Sequence, residues 1–154
     1  MLHFIPNRLD QDFEKIADDL DIFFITGGDD RAIRRTTELK LATEMMKRQK
    51  PIVGICHGAF LLTDVLGGVV SKKDGHRGGI EHAVTYDGQQ HMVNSFHGLC
   101  IKSIHTAPNA RVLATDVDGD IESWIDGNVA AVAWHPERMD NHWIPDEINT
   151  LLGL

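Results

Sequence analysis

The sequence predicts a three-layer α/β/α domain with a parallel sheet in its first half and an antiparallel, β-rich second half. Three observations support this. Apolar runs and helical-period segments alternate from residue 2 to Gly67-Gly68, as right-handed βαβ units require. Two of the runs, Asp21 to Thr26 and Pro51 to Ile55, are continuous rather than alternating, which is the pattern of strands buried on both faces. After Gly68 the segments shorten, and Asp87-Gly88, Asp118-Gly119 and Asp126-Gly127 punctuate them as turns.

Each element has a local reason. Leu2 to Ile5 reads as a short strand stopped by Pro6, which cannot donate to a ladder. Asp10 to Leu20 places Phe13, Ile16, Ala17 and Leu20 at helical spacing behind an acidic first turn. The strand Asp21 to Thr26 ends at Gly27-Gly28-Asp29-Asp30. Arg31 to Lys50 reads as a long helix with Leu39, Ala42 and Met46 on its inner face, ended by Pro51. A strand then runs to the glycine-flanked Cys56, and Ala59 to Leu66 continues as a helix. Beyond it, Val69-Val70, Glu81 to Tyr86, Gln90 to Asn94, Arg111 to Thr115, Asp120 to Ile125 and Val129 to His135 read as strands. Pro145 to Leu152 closes the chain as a short helix. No repeat, linker or low-complexity segment divides residues 1–154, so a single domain is expected.

Composition narrows the partners. The net charge is −8, and the longest basic runs are Arg34-Arg35 and Lys72-Lys73, which offers no patch for a phosphate backbone. No apolar stretch approaches the ~20 residues that span a bilayer, so neither nucleic acid nor membrane is expected. Two cysteines make no disulfide framework, and a reducing cytoplasm is the expected compartment.

Gly54-Ile55-Cys56-His57-Gly58 is the most informative stretch. A strand leading into a cysteine with glycines at −2 and +2, followed at once by a helix, has the logic of a nucleophile elbow with sulfur in place of a hydroxyl. The helix N-terminus predicts a lowered thiol pKa. A lone buried cysteine at a strand end would give the same local pattern. A nucleophile needs a base and an orienting group, and Trp134-His135-Pro136-Glu137 supplies both. In an extended segment His135 and Glu137 share a side, and Pro136 keeps the chain extended between them.

These residues together resemble the class I glutamine amidotransferase family, and within it the γ-glutamyl hydrolase branch. Thr26 to Asp30 resembles the family's glycine loop, Gly54 to Gly58 its elbow, and Val93-Asn94-Ser95-Phe96-His97 its substrate-facing segment. Asp118 to Glu122 resembles its late hairpin and Trp134 to Glu137 its catalytic end. The resemblance implies a flavodoxin-like, mostly parallel sheet. It implies that Cys56 attacks a γ-glutamyl carbonyl while His135 moves protons and Glu137 orients His135. Backbone N–H groups of Gly28 and His57 would hold the oxyanion, and backbone around Gly27, Ser95 and Phe96 would grip the glutamyl end. The implied activity is hydrolysis of a γ-glutamyl amide through a thioester, releasing glutamate and an amine. Val93 to His97, Ile121 to Ser123 and Trp134 to Arg138 resemble family members that act on a γ-glutamyl-CDP-amidate-type substrate. The rival readings are a glutaminase subunit serving a separate synthase and an idle binding module on the same scaffold.

Three departures from the family pattern stand out. Phe60 occupies the place of a glutamine four residues after the nucleophile, and His97-Gly98-Leu99 stands where the family has His-His-Gln. Leu2 to Ile5 would correspond to the family's second strand, so that either the start is wrongly assigned or the sheet lacks the family's first strand and helix. The exposed sheet edge would then be covered by a replacement element or by another chain, a second copy or a synthase. Nine histidines invite a metal check, but no H-E-x-x-H occurs and the cysteines are far apart. His76, His82, His91 and His105 are assigned surface and hydrogen-bonding roles, and neither metal nor cofactor is expected.

Overall fold

The computed structural model describes residues 1–75 and 78–154; His76 lies outside them. Nine strands among the described residues form one mixed sheet: β1 (Phe23–Ile25), β2 (Ile52–Ile55), β3 (Val69–Lys72), β4 (Ile80–Tyr86), β5 (Gln89–Ser95), β6 (Leu99–Ser103), β7 (Ala110–Asp116), β8 (Ile121–Asp126) and β9 (Val129–Val132). Helices α1 (Phe13–Asp19), α2 (Ala32–Lys47), α3 (His57–Val65) and α4 (Asp146–Leu152) cover it. The order is β1-β2-β9-β8-β7-β4-β5, with β6 branching from β8 and carrying β3.

The α/β expectation holds, and the sheet is mixed. β1·β2 and β2·β9 are its parallel pairings, while β3·β6, β4·β5, β4·β7, β6·β8, β7·β8 and β8·β9 are antiparallel. The parallel part is therefore smaller than the first half of the sequence suggests. β9 is the last strand in the chain, yet it lies beside β2. Two apolar clusters fill the opposite faces. One joins Leu41, Met45, Ile52, Leu62 and Trp124 beneath α1, α2 and α3. The other joins Val84, Val93, Ile125, Trp134 and Ile148 beneath α4. The Trp124 indole N–H donates to Thr63 Oγ1 at 2.8 Å, tying α3 to β8.

Four expectations need correction. Leu2 to Ile5 forms no strand: Leu2 and Phe4 are exposed, and β1 pairs only with β2 among the described residues. The segment instead lines a groove beside β1 with Leu20, Ile22 and Phe24. The inner face of α2 is broader than Leu39, Ala42 and Met46: Thr37, Glu38, Leu41, Ala42 and Met45 are its buried residues, while Leu39 and Met46 pack half-buried against the same core. β6 is a strand that the sequence pattern does not predict, since its buried pair Cys100-Ile101 sits in a run without clear alternation. β9 stops at Val132, short of the expected His135.

His91 and His105 do fill packing roles. His91 stacks on Trp143 with ring centroids 3.9 Å apart, and His105 bonds Asp126 at 2.7 Å. No described helix is long and apolar enough to cross a membrane.

The β7–β8 hairpin gathers Asp116, Asp118 and Asp120 closely enough to surround a cation. The Lys73 ammonium supplies that charge, bonding Asp116, Asp118 at 3.1 Å and Asp120 at 2.8 Å. Burial alone would push the Asp120 carboxyl up, but the bonds from Lys102 and Lys73 outweigh it and hold it below the ordinary carboxylate value. A carboxyl lowered on folding stabilises the protein above about pH 4 and loses that contribution as pH falls through its native value. Lys73→Met should therefore destabilise the protein by about 3 kcal/mol at pH 7. The deficit should shrink on acidification, as urea midpoints measured from pH 7 to 3 would report.

Candidate active site

Cys56 joins β2 to α3 with φ 50° and ψ −104°, a strained conformation for a residue with a Cβ. The flanking glycines are required by close approach. A Cβ on Gly58 would collide with the Ile25 carbonyl, and one on Gly54 would lie 2.5 Å from the Gly58 backbone. The cysteine's own N–H donates to Val132 O at 2.9 Å, extending the β2·β9 ladder by one residue.

That ladder delivers the second half of the site. β2 and β9 pair with Ile55 opposite Val132, so the chain leaving β9 reaches the elbow at once. His135 is 3% exposed. Its Nδ1 lies 2.6 Å from Glu137 Oε1. Asn94 at the end of β5 clamps the same residue's backbone from both sides, donating to its carbonyl and accepting from its N–H, each at 2.8 Å. Gly27 backs onto the imidazole, where any Cβ would strike His135 Cε1.

The His-Pro-Glu segment is bent rather than extended. Pro136, Glu137 and Arg138 form a 3-10 turn with proline at its start. Proline's fixed φ suits a first helical position as well as an extended one, and the turn rather than the strand brings the carboxylate back to Nδ1.

Cys56, His57, Gly28, Phe60, Phe96 and His97 line one cavity of about 1070 Å³. Phe96 meets the His135 ring edge-on, with centroids 5.3 Å apart. The Arg138 guanidinium lies 4.6 Å over the Phe96 ring. Ser95 is buried behind this wall, its carbonyl accepting from the Gly79 N–H at 2.8 Å. Of the anticipated substrate-facing residues, Phe96 reaches the cavity while Ser95 holds the β4–β5 end together.

The expected fall in the Cys56 pKa does not occur. Burial pushes the thiol up and outweighs the His57 backbone N–H that bonds it, and the Glu137 charge pushes the same way. Held above its ordinary value, the thiol would need a base in order to attack. With Nδ1 engaged by Glu137, His135 has Nε2 available for that proton.

Sequence reasoning missed Arg34 and Glu38. Arg34 donates to Thr26 O at 2.6 Å and to Gly27 O at 3.4 Å. Glu38 accepts from Arg34 Nε at 2.7 Å and lies 2.8 Å from His57 Nε2. An Arg and a Glu four residues apart on a helix ordinarily mark a solvated pair, so nothing in the local pattern distinguished them.

Comparison with known proteins places this geometry. Residues 3–146 match the family model described as glutamine amidotransferase class-I. The chain is 32% identical over 148 residues to the carbamoyl phosphate synthase small chain of Thermoplasma acidophilum, covering 90% of this chain and 41% of that protein. The chain thus spans about two fifths of that relative's length. It is 22% identical over 143 residues to a gamma-glutamyl-CDP-amidate hydrolase of Campylobacter jejuni, covering 87% and 70%. Among solved structures, a glutamine amidotransferase from Thermotoga maritima superposes with a TM-score of 0.69 at 18% identity, over 95% of this chain and 68% of that one. Such an identity speaks to the fold alone.

Two outcomes follow from the elbow. Gly58→Ala should cost at least about 2 kcal/mol, because the helix must move off the Ile25 carbonyl; denaturant midpoints would measure it. Alkylation of Cys56 by iodoacetamide should keep accelerating above about pH 8.5, since a raised pKa leaves little thiolate at neutrality. A plateau below pH 7 would indicate a resting thiolate–imidazolium pair instead.

Proposed function

The chain belongs to the class-I glutamine amidotransferase family, and from that premise we propose that it hydrolyses the side-chain amide of glutamine and hands the ammonia to a synthase partner. The observation that supports the chemistry is the β2·β9 pairing, which leads the chain carrying the hydrogen-bonded His135–Glu137 pair out beside the end of β2, where Cys56 stands on its strained elbow. The partner is suggested by the relatives, among which synthase small chains are the more similar by sequence.

In this reading His135 Nε2 takes the Cys56 proton as the sulfur attacks the γ-carbonyl carbon. The carbonyl oxygen becomes an oxyanion held by the backbone N–H groups of His57 and Gly28. The imidazolium, stabilised by Glu137, then gives its proton to the amide nitrogen. The C–N bond breaks as the carbonyl reforms, and ammonia leaves a γ-glutamyl thioester. Water, deprotonated by the same imidazole, attacks the thioester and frees glutamate and the thiol. Gly27 and Phe96 border the space beside His135 where the glutamyl group would lie.

A second reading is favoured by Phe60. A stand-alone hydrolase of a larger γ-glutamyl amide, including a γ-glutamyl-CDP-amidate-type substrate, has less need of the amide side chain that the family carries at this position. Phe60 is 6% exposed and packs edge-on to His97 at 5.2 Å, giving the cavity an apolar wall.

The test is release of glutamate and ammonia from glutamine and from a panel of γ-glutamyl amides, with and without a synthase large subunit. Slow glutaminase activity accelerated by the partner is expected. Cys56→Ala should reduce turnover by about 10⁴-fold or more. Turnover of a larger amide without any partner would select the stand-alone reading, and equal turnover by wild type and Cys56→Ala would rule out the thioester route.

A further inference from the structure

We propose that Glu38 is a positioning residue for the oxyanion site, tying the glycine loop to the residue that follows the nucleophile. The inference rests on the thioester reading above and extends it to a residue on a different helix, outside the cavity.

The geometry is a continuous chain of bonds. Arg34 Nη2 donates to Thr26 O at 2.6 Å, and both terminal nitrogens lie 3.4 Å from Gly27 O. Arg34 Nε donates to Glu38 Oε1 at 2.7 Å. The other carboxylate oxygen, Oε2, meets His57 Nε2 at 2.8 Å. Glu38 thus spends both oxygens holding two partners that belong to different ends of the reaction centre. All three side chains are largely shielded, at 15%, 10% and 7% exposure for Arg34, Glu38 and His57. Charge-assisted bonds removed from water in this way define geometry more firmly than a surface pair would.

Each end of the chain fixes one backbone donor. A trans peptide points its C=O and its N–H in opposite directions. Gly27 O is drawn towards Arg34 on α2, so the N–H of the same peptide unit, which belongs to Gly28, is turned away from α2. Gly28 lines the cavity beside Cys56. Its φ of 135° is open to glycine, and a Cβ there would run into Arg34 Nη1. At the other end, His57 opens α3 directly after Cys56, and its backbone N–H favours negative charge on the neighbouring sulfur. Holding the His57 ring from α2 restrains the residue whose N–H must follow the developing oxyanion. α2 therefore sets the separation of the two donors, and Glu38 is the group common to both.

Two reagents separate this role from nucleophile activation and from general stability. Acylation of Cys56 by p-nitrophenyl acetate passes through a tetrahedral oxyanion; alkylation by iodoacetamide displaces iodide at a saturated carbon and forms none. Cys56→Ala supplies the background for both. Glu38→Ala should slow acylation by about ten- to a hundredfold, up to the effect of losing one oxyanion donor, with alkylation near the wild-type rate. Glu38→Gln keeps the shape and one acceptor oxygen, and should fall between the two in acylation alone. With a γ-glutamyl substrate, kcat should drop while KM stays near its wild-type value. Equal slowing of both reagents in Glu38→Gln, or unaltered acylation, would overturn the proposal; this variant decides the matter even if the alanine variant does not fold. A wild-type protein that acylates but frees glutamate from no substrate would refute the thioester reading of function and leave the reagent ratio interpretable.

Discussion

The parallel pairing of β2 with β9 is the constraint on which the site depends. Cys56 and His135 stand far apart in the chain, and no local contact could hold them to a common geometry. The pairing of Ile55 with Val132, continued by the Cys56 N–H to Val132 O bond, fixes their relative placement to within a residue. β9 is in turn held on its other side by β8, with Ser123 opposite Val132. A one-residue slip would invert every side chain of a strand that is buried throughout. The hydrophobic burial of β9 therefore enforces the alignment that catalysis would need.

The environment of the sulfur makes that alignment consequential. A cysteine at an exposed helix start would ionise easily and react with whatever it met. Here burial works against ionisation, and the nearby Glu137 charge adds to it. Reactivity then depends on a base in a fixed orientation. His135 is fixed twice over, through its ring by Glu137 and through its backbone by Asn94. The Asn94 clamp also ties the His135–Glu137 turn to the antiparallel β4–β5 hairpin, which gives the second half of the chain a direct part in the candidate site.

Much of this was legible in the sequence because it follows from local rules. Buried strands announce themselves as continuous apolar runs, as Ile52 to Ile55 does, whereas β1 has the run but leaves Phe24 exposed at the sheet edge; the glycines at 54 and 58 follow from the close approach of strand and helix. The Asp87-Gly88 turn follows from the positive φ that both residues adopt. What escaped was set by tertiary context. Leu2 to Ile5 has strand-like composition but no ladder partner. The α2 face could not be assigned from apolar spacing because its inward residues include Thr37 and Glu38, whose burial is offset by bonds one turn back, with Ile33 O and Arg34, and by His57 from α3. The rise in the Cys56 pKa depends on desolvation, which no spacing rule reports. Pro136 suited both an extended segment and a tight turn, and only the packing chose between them.

Phe60, in the lining of the cavity that Cys56 borders, would bear on specificity in the proposed reaction. A site that hydrogen-bonds a substrate amide rejects analogues lacking it by leaving buried polar groups unpaired, which is a large penalty. Phe60 lines the cavity instead, packed edge-on against His97, whose Nδ1 lies 2.7 Å from Leu99 O. An apolar surface of this kind discriminates by shape, typically by only about 1–3 kcal/mol per methylene-sized difference. The donors that would recognise the γ-glutamyl carbonyl are backbone groups on the glycine loop and the elbow, and they are indifferent to what the nitrogen carries. On the proposed reading, discrimination among leaving groups would fall to the rest of the cavity lining, which includes Arg35 held between Asp30 and Asp64.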